Sequence, residues 1–374
     1  MGIKMISKKL KIAMIGHKHI PSRWGGVERV VEELAVRMVE KGHRVVCYSR
    51  KSGVQNNSSE YRGVEIKNVF TINKNGIAAV SSSVVADIKA VFGGFDVIHF
   101  HSEGPAAMVW LPHLLGIRTV VTIHGLDWAR EKWHNGIGSK YIKFGEKMAA
   151  KYADKVIVLS RNVQKYFKYT YGRETVYIPN GVNCPDIVEP DIIKKRFNLD
   201  KNNYILYLGR LVPEKGLRYL LRAFRKTNTN KKLVIAGGFS DKDSYYNELK
   251  KIATDDERII FTGFVQGKLL EELFSNAYIY TLPSDLEGMP ISLLEALSYG
   301  NCCLTSDIPE CSEVLKGQGV MFEKGNTNDL CEKLQMLCDN EDIVNKYRAT
   351  AKDYVLSKYN WDDVVDKTLE LYVD

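Results

Sequence analysis

Pro283-Ser-Asp-Leu-Glu-Gly-Met-Pro-Ile-Ser-Leu-Leu-Glu-Ala-Leu-Ser-Tyr-Gly300 carries the loop-to-helix transition on which the reading of this chain turns. Pro290 suits the first turn of a helix, where its missing N–H costs nothing. Ile291, Leu294, Leu297 and Ser298 fall at helical spacing, and Gly300 suits the stop. Glu287 therefore lies in the loop ahead of the helix, and Glu295 lies within it. The N–H groups of Gly288, Met289 and the first turn have no intrahelical partner, and a helix start of this kind attracts phosphate. Two carboxylates flanking it accept hydrogen bonds from hydroxyls. The segment suits a ligand that is part phosphate and part sugar; the plainer alternative is a capped core helix with two solvated acids.

Upstream, Tyr204-Ile-Leu-Tyr-Leu-Gly-Arg-Leu-Val-Pro-Glu-Lys-Gly216 is an apolar run that stops at Gly209 and is followed by two cations. An apolar run of that length bounded by glycine predicts a buried parallel strand. In open α/β sheets, ligands bind beyond the carboxyl ends of strands. Arg210 leaves that end and Lys215 follows after a short turn. A planar guanidinium and a point-like ammonium both suit a diphosphate.

The rest of the chain repeats one grammar, short apolar runs alternating with helical patterns, which predicts parallel α/β sheets. In the first half, strands are expected at 11–16, 44–49, 96–101, 118–124 and 155–160, with a helix over 26–41. In the second half they are expected at 204–208, 232–236, 259–262, 278–282, 302–305 and 319–322. Asn180-Gly181 and Cys184-Pro185 mark a turn and a boundary. The fold class is α/β, with two facing Rossmann-like domains and a cleft between them. The domains are expected at 1–183 and 184–355. The polar window 53–59 is expected to be a mobile loop.

With 374 residues, 45% hydrophobic and 26% charged, the chain has the composition of a soluble two-domain protein. No run approaches the 18 apolar residues of a membrane span, and the apolar piece after the basic start is too short for a signal peptide. Seven scattered cysteines with no Cys-x-x-Cys spacing imply reduced thiols and a cytoplasmic location. Charge is uneven: residues 1–190 hold 28 Lys+Arg against 16 Asp+Glu, and all eight histidines lie there. A basic first half implies an anionic partner: lipid, a pyrophosphate-bearing acceptor or nucleic acid. No recognition motif, zinc module or arginine run supports the last.

The two segments resemble the donor-binding half of retaining glycosyltransferases of family 4, which have the GT-B fold. Trp24-Gly-Gly-Val-Glu28, His124-Gly-Leu-Asp-Trp128, Ile178-Pro-Asn-Gly-Val182 and Phe261-Thr-Gly-Phe-Val265 extend the likeness over nearly the whole chain. It is strongest to bacterial enzymes of capsule, exopolysaccharide or O-antigen synthesis, some of which handle rhamnose. Cys184-Pro185, after Asn183, departs from the usual stretch and affects only the linker.

The resemblance implies that Arg210 and Lys215 take the donor diphosphate, that Glu287 faces the transferred sugar and that Glu295 meets the ribose. Phe264 and Val265 would lie near the base, and Gly25 and Gly26 near the diphosphate. It also implies front-face attack with the diphosphate taking the acceptor's proton, no cofactor and no metal. The last helix, within 356–374, would return to the first domain, anchored by Trp361. The acceptor would be a hydroxyl of a lipid-linked or soluble glycan.

Other residues carry weaker expectations. His124 ends a strand, where its imidazole can donate to a sugar hydroxyl or steady charge near the anomeric carbon. Asp127 can orient His124 or bind the acceptor, and Trp24 and Glu28 are acceptor candidates. Glu28 is equally a stabilising acid at a helix start. His99 and His101 share one strand face, but with His17 and His19 they lack the acid or cysteine partners of a metal site. On the expected helix 139–152, Lys140, Lys143, Lys147 and Lys151 form one stripe, and Tyr141, Phe144, Met148 and Tyr152 another. That face is expected to meet anionic lipid on the inner face of the plasma membrane, unless the aromatic stripe is core. Two alternatives remain at this point: a sugar-nucleotide epimerase of the same fold, or a non-catalytic glycan- or lipid-binding scaffold.

Overall fold

The apolar runs form two separate parallel sheets. The computed structural model describes residues 8–21, 25–51, 58–74, 77–130, 136–238 and 244–374; Trp24 and most of the 53–59 window lie outside the described residues. The chain divides into one unit of residues 1–180 and 361–374 and another of residues 181–360.

Unit 1 begins with β1 (Lys11–Ile15), α1 (Gly26–Glu40), β2 (Arg44–Arg50), β3 (Glu60–Tyr61), β4 (Val64–Val69) and α2 (Ile77–Val91). It continues with β5 (Val97–His101), α3 (Trp110–Leu114), β6 (Arg118–Ile123), α4 (Ile137–Tyr152), β7 (Lys155–Val158), α5 (Arg161–Tyr171) and β8 (Val176–Tyr177). The strand order is β3-β4-β2-β1-β5-β6-β7-β8, parallel except for β3 against β4. β1, β5 and β6 are largely buried, and Ala13, Ile15, Ile98, Phe100, Val121 and Ile123 from them join one core with Phe95, Ala149 and Phe167, while β5 and β6 also carry His99, His101 and Thr122.

Unit 2 comprises α6 (Ile192–Phe197), β9 (Tyr204–Leu208), α7 (Leu217–Lys226), β10 (Lys232–Ala236), α8 (Ser244–Ala253), β11 (Ile259–Gly263) and α9 (Lys268–Asn276). β12 (Ile279–Leu282), α10 (Ile291–Ser298), β13 (Cys303–Ser306), α11 (Pro309–Leu315), β14 (Val320–Phe322), α12 (Thr327–Asp339) and α13 (Glu341–Lys358) complete it. Its sheet, β11-β10-β9-β12-β13-β14, is parallel throughout.

The last helix, α14 (Trp361–Val373), belongs to unit 1 and packs on α1 and β6. Trp361 is buried, with the Arg37 guanidinium 5.9 Å from its ring centre. Lys41 pairs with Asp366 at 2.6 Å, and Arg118 donates to the Leu371 carbonyl at 2.8 Å. These contacts hold Tyr372 at the sheet.

In each sheet the chain first builds outward one way and then returns to build the other. The reversal falls between β1 and β5 in unit 1 and between β9 and β12 in unit 2. Carboxyl ends at such a switch point are where open α/β sheets bind ligands.

Candidate functional site

Unit 2 places Arg210 and Glu287 just beyond the carboxyl ends of β9 and β12, on either side of its switch point. Glycines bring these ends together. A Cβ on Gly237 would lie 1.8 Å from the Gly209 carbonyl oxygen, so the loops after β9 and β10 touch. Gly216, at φ +67°, lets the 213–215 turn lie against β12; a Cβ there would sit 1.8 Å from the Pro283 oxygen. The Asp285 N–H donates to the Glu214 carbonyl at 2.8 Å and seals that contact.

The result is an ion pair between Lys215 and Glu287, whose side chains are only 16% and 8% exposed. Ser284 donates its hydroxyl to the same Glu287 oxygen at 2.6 Å. Tyr219 donates to Asp285 at 3.1 Å, and burial raises the Asp285 carboxyl above its ordinary range. Tyr280 donates to the Ser292 hydroxyl at 2.8 Å, tying the first turn of α10 to the sheet. Lys215, expected on the diphosphate, thus rests on Glu287, while Arg210 is exposed.

α10 starts at Ile291 with Pro290 as its N-cap, one residue later than the sequence suggests, and no side chain caps it. The Leu293 and Leu294 N–H groups turn back to the Pro290 carbonyl at 3.1 and 3.3 Å. Gly288 and Met289 lie in the loop before it, and Glu295 lies half-buried inside the helix. Phe264 and Val265 follow β11 after Gly263, which sits at φ +71°. This half combines cations, an uncapped helix start and a carboxylate, the set that suits a sugar diphosphate.

In unit 1, the ends of β1, β5 and β6 gather a second polar cluster. Glu28 is 7% exposed, accepts the Lys18 N–H at 3.2 Å and folds back on its own helix start; a Cβ on Gly25 would lie 2.0 Å from its Oε2. That placement is the one described above for a stabilising acid at the start of α1, and it sets the carboxylate beside Gly25 and Gly26.

His124, after β6, is 8% exposed, and its Nε2 lies 3.1 Å from Nδ1 of His101 on β5. The expected orienting partner, Asp127, does not hold it. Asp127 pairs with Arg130 at 2.8 Å and gives its N–H to the fully buried Glu103. Gly125, at φ +146°, turns the chain between His124 and Asp127. Burial, with the Asp127 charge added, pushes the Glu103 carboxyl well above its ordinary range. Burial, with a smaller contribution from Arg130, lowers the His124 pKa to about 3, so the ring is neutral at physiological pH.

Trp128 is held by a donation to Glu146 at 3.0 Å; Glu146 also accepts from Tyr166 and Tyr171 at 2.8 and 2.5 Å. Nothing in the sequence singles out Glu103 or Glu146, and His101 enters there only as a metal-ligand candidate without the partners of a metal site. The alternation in His99-Phe-His101 put both rings on one face, but no local signal named their partners. Among the described residues, no group of three or more His, Cys, Asp or Glu is arranged to hold a metal ion.

On α4, all four lysines of the stripe are exposed. Lys143 and Lys151 lie over the rings of Trp128 and Tyr152, at 4.2 and 4.9 Å. The aromatic stripe is mixed: Tyr141, Met148 and Tyr152 are half-buried, whereas Phe144 is 48% exposed among the lysines. Among the described residues, no helix is long and apolar enough to cross a membrane.

Comparison with known proteins bears on both halves. Residues 24–185 match the model of Glycosyltransferase Family 4, and residues 188–354 match that of Glycosyl transferases group 1. An uncharacterized glycosyltransferase of Methanocaldococcus jannaschii is 26% identical over 97% of this chain and 98% of its own. The UDP-Gal:alpha-D-GlcNAc-diphosphoundecaprenol alpha-1,3-galactosyltransferase of Escherichia coli is 25% identical over 78% of this chain and 81% of its own.

Among solved structures, the sucrose-phosphate synthase of Thermosynechococcus elongatus superposes with a TM-score of 0.81 at 19% identity, covering 97% of this chain and 98% of that one. Anabaena HepE in complex with UDP-glucose gives 0.80 at 15% identity, covering 96% and 98%. With a family 4 first half, a group 1 second half and the two Rossmann-like domains of these structures, the chain is a glycosyltransferase of the GT-B type.

Proposed function

We propose that this glycosyltransferase is a retaining, metal-independent enzyme that moves a hexosyl or rhamnosyl group from a nucleotide-sugar to a hydroxyl of a lipid-linked glycan in cell-surface polysaccharide synthesis. The observation that carries the donor half is the buried Lys215–Glu287 pair at the unit 2 switch point, with Arg210 on the adjoining strand end. The diphosphoundecaprenol in the name of the Escherichia coli relative supports a lipid-linked acceptor.

In this reading Arg210, Lys215 and the N–H groups around residues 288–291 supply positive potential, preorganised for the leaving diphosphate. Glu287 accepts from a sugar hydroxyl and Glu295 from the ribose. The bond from the anomeric carbon to the phosphate oxygen breaks, and the acceptor oxygen bonds to the same face of that carbon. The acceptor's proton passes to the departing diphosphate, so no enzymic nucleophile takes part. His124 donates to the transferred sugar, Asp127 and Glu28 serve the acceptor side, and Gly25 and Gly26 meet the diphosphate.

The donor site is tested by thermal shift of the wild type and Arg210→Ala against uridine, guanosine, adenosine and thymidine diphosphates. A nucleotide at a hundred times its dissociation constant stabilises by about 2.7 kcal/mol. One nucleotide is expected to raise the wild-type melting temperature and to lose that effect in Arg210→Ala. A shift equal in both proteins removes Arg210 from the site.

The exposed lysines of α4, with Phe144 among them, support a peripheral seat on an anionic cytoplasmic leaflet. A lysine near such a surface contributes roughly 1 kcal/mol. Co-sedimentation with vesicles is expected to rise with the fraction of anionic lipid, and to fall when Lys140, Lys143, Lys147 and Lys151 are together replaced by Gln. Binding indifferent to anionic lipid counts against the membrane seat.

A further inference from the structure

His124 does not stand alone at the end of β6. The parallel register sets His101 beside Thr122, so His124 lies one diagonal step further along the same face. His99 repeats the pattern one step back, with its Nε2 2.8 Å from the Thr122 hydroxyl. The His99 and His101 rings stack at 4.2 Å between centres, 29° apart in plane. On its other side, His99 Nδ1 lies 2.6 Å from the Tyr372 hydroxyl of α14. A chain of contacts thus runs from the C-terminal helix through two stacked imidazoles to His124. His99 and His101 are both fully buried.

Burial also keeps these rings neutral: the His99 pKa falls to about 3, and that of His101 lies well below the ordinary value. A neutral imidazole carries one N–H and one bare nitrogen, and the hydrogen-bond network decides which is which. Between His101 Nδ1 and His124 Nε2, at 3.1 Å, one nitrogen must donate. The other nitrogen of His101, Nε2, is buried and, among the described residues, has no hydrogen-bond partner. If His124 donated, the stranded Nε2 of His101 would carry a proton. If His101 donates, the stranded atom is a bare nitrogen. Orphaned buried N–H groups are the rarer defect in folded proteins, so His101 donates from Nδ1. His124 then accepts at Nε2 and carries its own proton on Nδ1, and among the described residues it makes no other hydrogen bond.

Resting on the role of His124 given above, we propose that His101 is a positioning residue that locks His124 in the Nδ1–H tautomer, backed by His99 of β5 and Tyr372 of α14. The transferred sugar then meets an uncharged donor. This suits the chemistry, because an imidazolium would repel the positive charge that develops at the anomeric carbon, while a bare nitrogen could not donate to a hydroxyl.

The test uses the full chain labelled with 15N-histidine. Two-bond proton–nitrogen spectra distinguish the tautomers, and His124→Gln assigns the His124 signals. In the wild type, His124 is expected to be protonated at Nδ1. His101→Phe is expected to move it toward the Nε2–H form and to lower kcat by roughly tenfold or more, with little change in KM for the nucleotide-sugar. His101→Asn places an amide N–H near the position of Nδ1–H and is expected to keep both the tautomer and, within about threefold, the rate.

A wild-type His124 protonated at Nε2 overturns the assignment, even if His101→Phe fails to fold. So does a folded His101→Phe enzyme with an unchanged kcat, or an equal loss in the Phe and Asn variants. His124→Gln turning over at the wild-type rate would instead overturn the role of His124 on which the proposal rests, while the wild-type spectrum still reports whether His101 sets the tautomer.

Discussion

Lys215→Ala is expected to abolish nucleoside-diphosphate binding and to lower sugar transfer by roughly a hundred- to a thousandfold; adding Glu287→Ala is expected to restore much of the binding but none of the transfer. The reason lies in the burial of the pair: Glu287 is only 8% exposed, and among the described residues its side chain is held by Lys215 and the Ser284 hydroxyl. Removing one member of a buried pair strands the other charge, at a cost of about 3–5 kcal/mol. Here the stranded charge is a carboxylate, and the incoming diphosphate brings more negative charge beside it. Deleting Glu287 as well removes that repulsion, leaving Arg210 and the start of α10 to attract the nucleotide. The sugar then has no carboxylate to hold it, so transfer stays low.

Glu287→Ala alone frees Lys215 for the diphosphate, so nucleotide affinity should equal or exceed that of the wild type while turnover falls. Calorimetric titration with the nucleotide that shifts the wild type, paired with a transfer assay on the four proteins of the cycle, checks this. Wild-type nucleotide affinity in Lys215→Ala would show that the lysine stays with Glu287 and does not meet the diphosphate.

The second large effect concerns stability. Asp87 on α2 is fully buried, and among the described residues neither carboxylate oxygen has a hydrogen-bond partner. Burial alone pushes its pKa up from 3.8 to about 7. The folded-state pKa is raised, so the sign is clear: the protonated acid is tolerated at low pH, and stability is lost as pH rises through the window from 3.8 to about 7.

Asp87→Asn removes the ionisation and leaves the shape. Its advantage over the wild type is expected to be small near pH 4, to grow by ~1.4 kcal/mol per pH unit through that window and to level off near 4 kcal/mol (about three pKa units) above it. Urea unfolding of both proteins across this range provides the check. A difference independent of pH would mean that the Asp87 carboxyl titrates as an exposed acid does.

Much of the fold was legible because it is written locally. The runs at 204–208 and 232–236 became β9 and β10 with those bounds, since a strand buried on both faces must be apolar along its length. The helix over 26–41 ended one residue early, at Glu40, before the Gly42 turn. Other strands differed by a residue or two at their ends, where pairing rather than composition decides the limit. β3, β4 and α2 carry no clear local pattern. β4 is half-exposed near the sheet edge, with a broken alternation, and α2 (Ile77-Ala-Ala-Val-Ser-Ser-Ser-Val-Val-Ala-Asp-Ile-Lys-Ala-Val91) mixes β-branched residues and serines, which weakens a helical pattern.

The sequence by itself determined the element types, the two α/β halves and the residue types at the ends of β9 and β12, because periodicity and turn chemistry act within a few residues. Only the tertiary structure decided who meets whom. Lys215 and Glu287 lie 72 residues apart and pair because Gly216 lets one loop lie on the next strand end. His101 and His124 lie 23 residues apart and meet because β5 neighbours β6 in a particular register. His99 and Tyr372 lie 273 residues apart and meet because the last helix belongs to the first unit. Strand order, register and helix return are set by the packing of the whole chain, and no short window of sequence carries them.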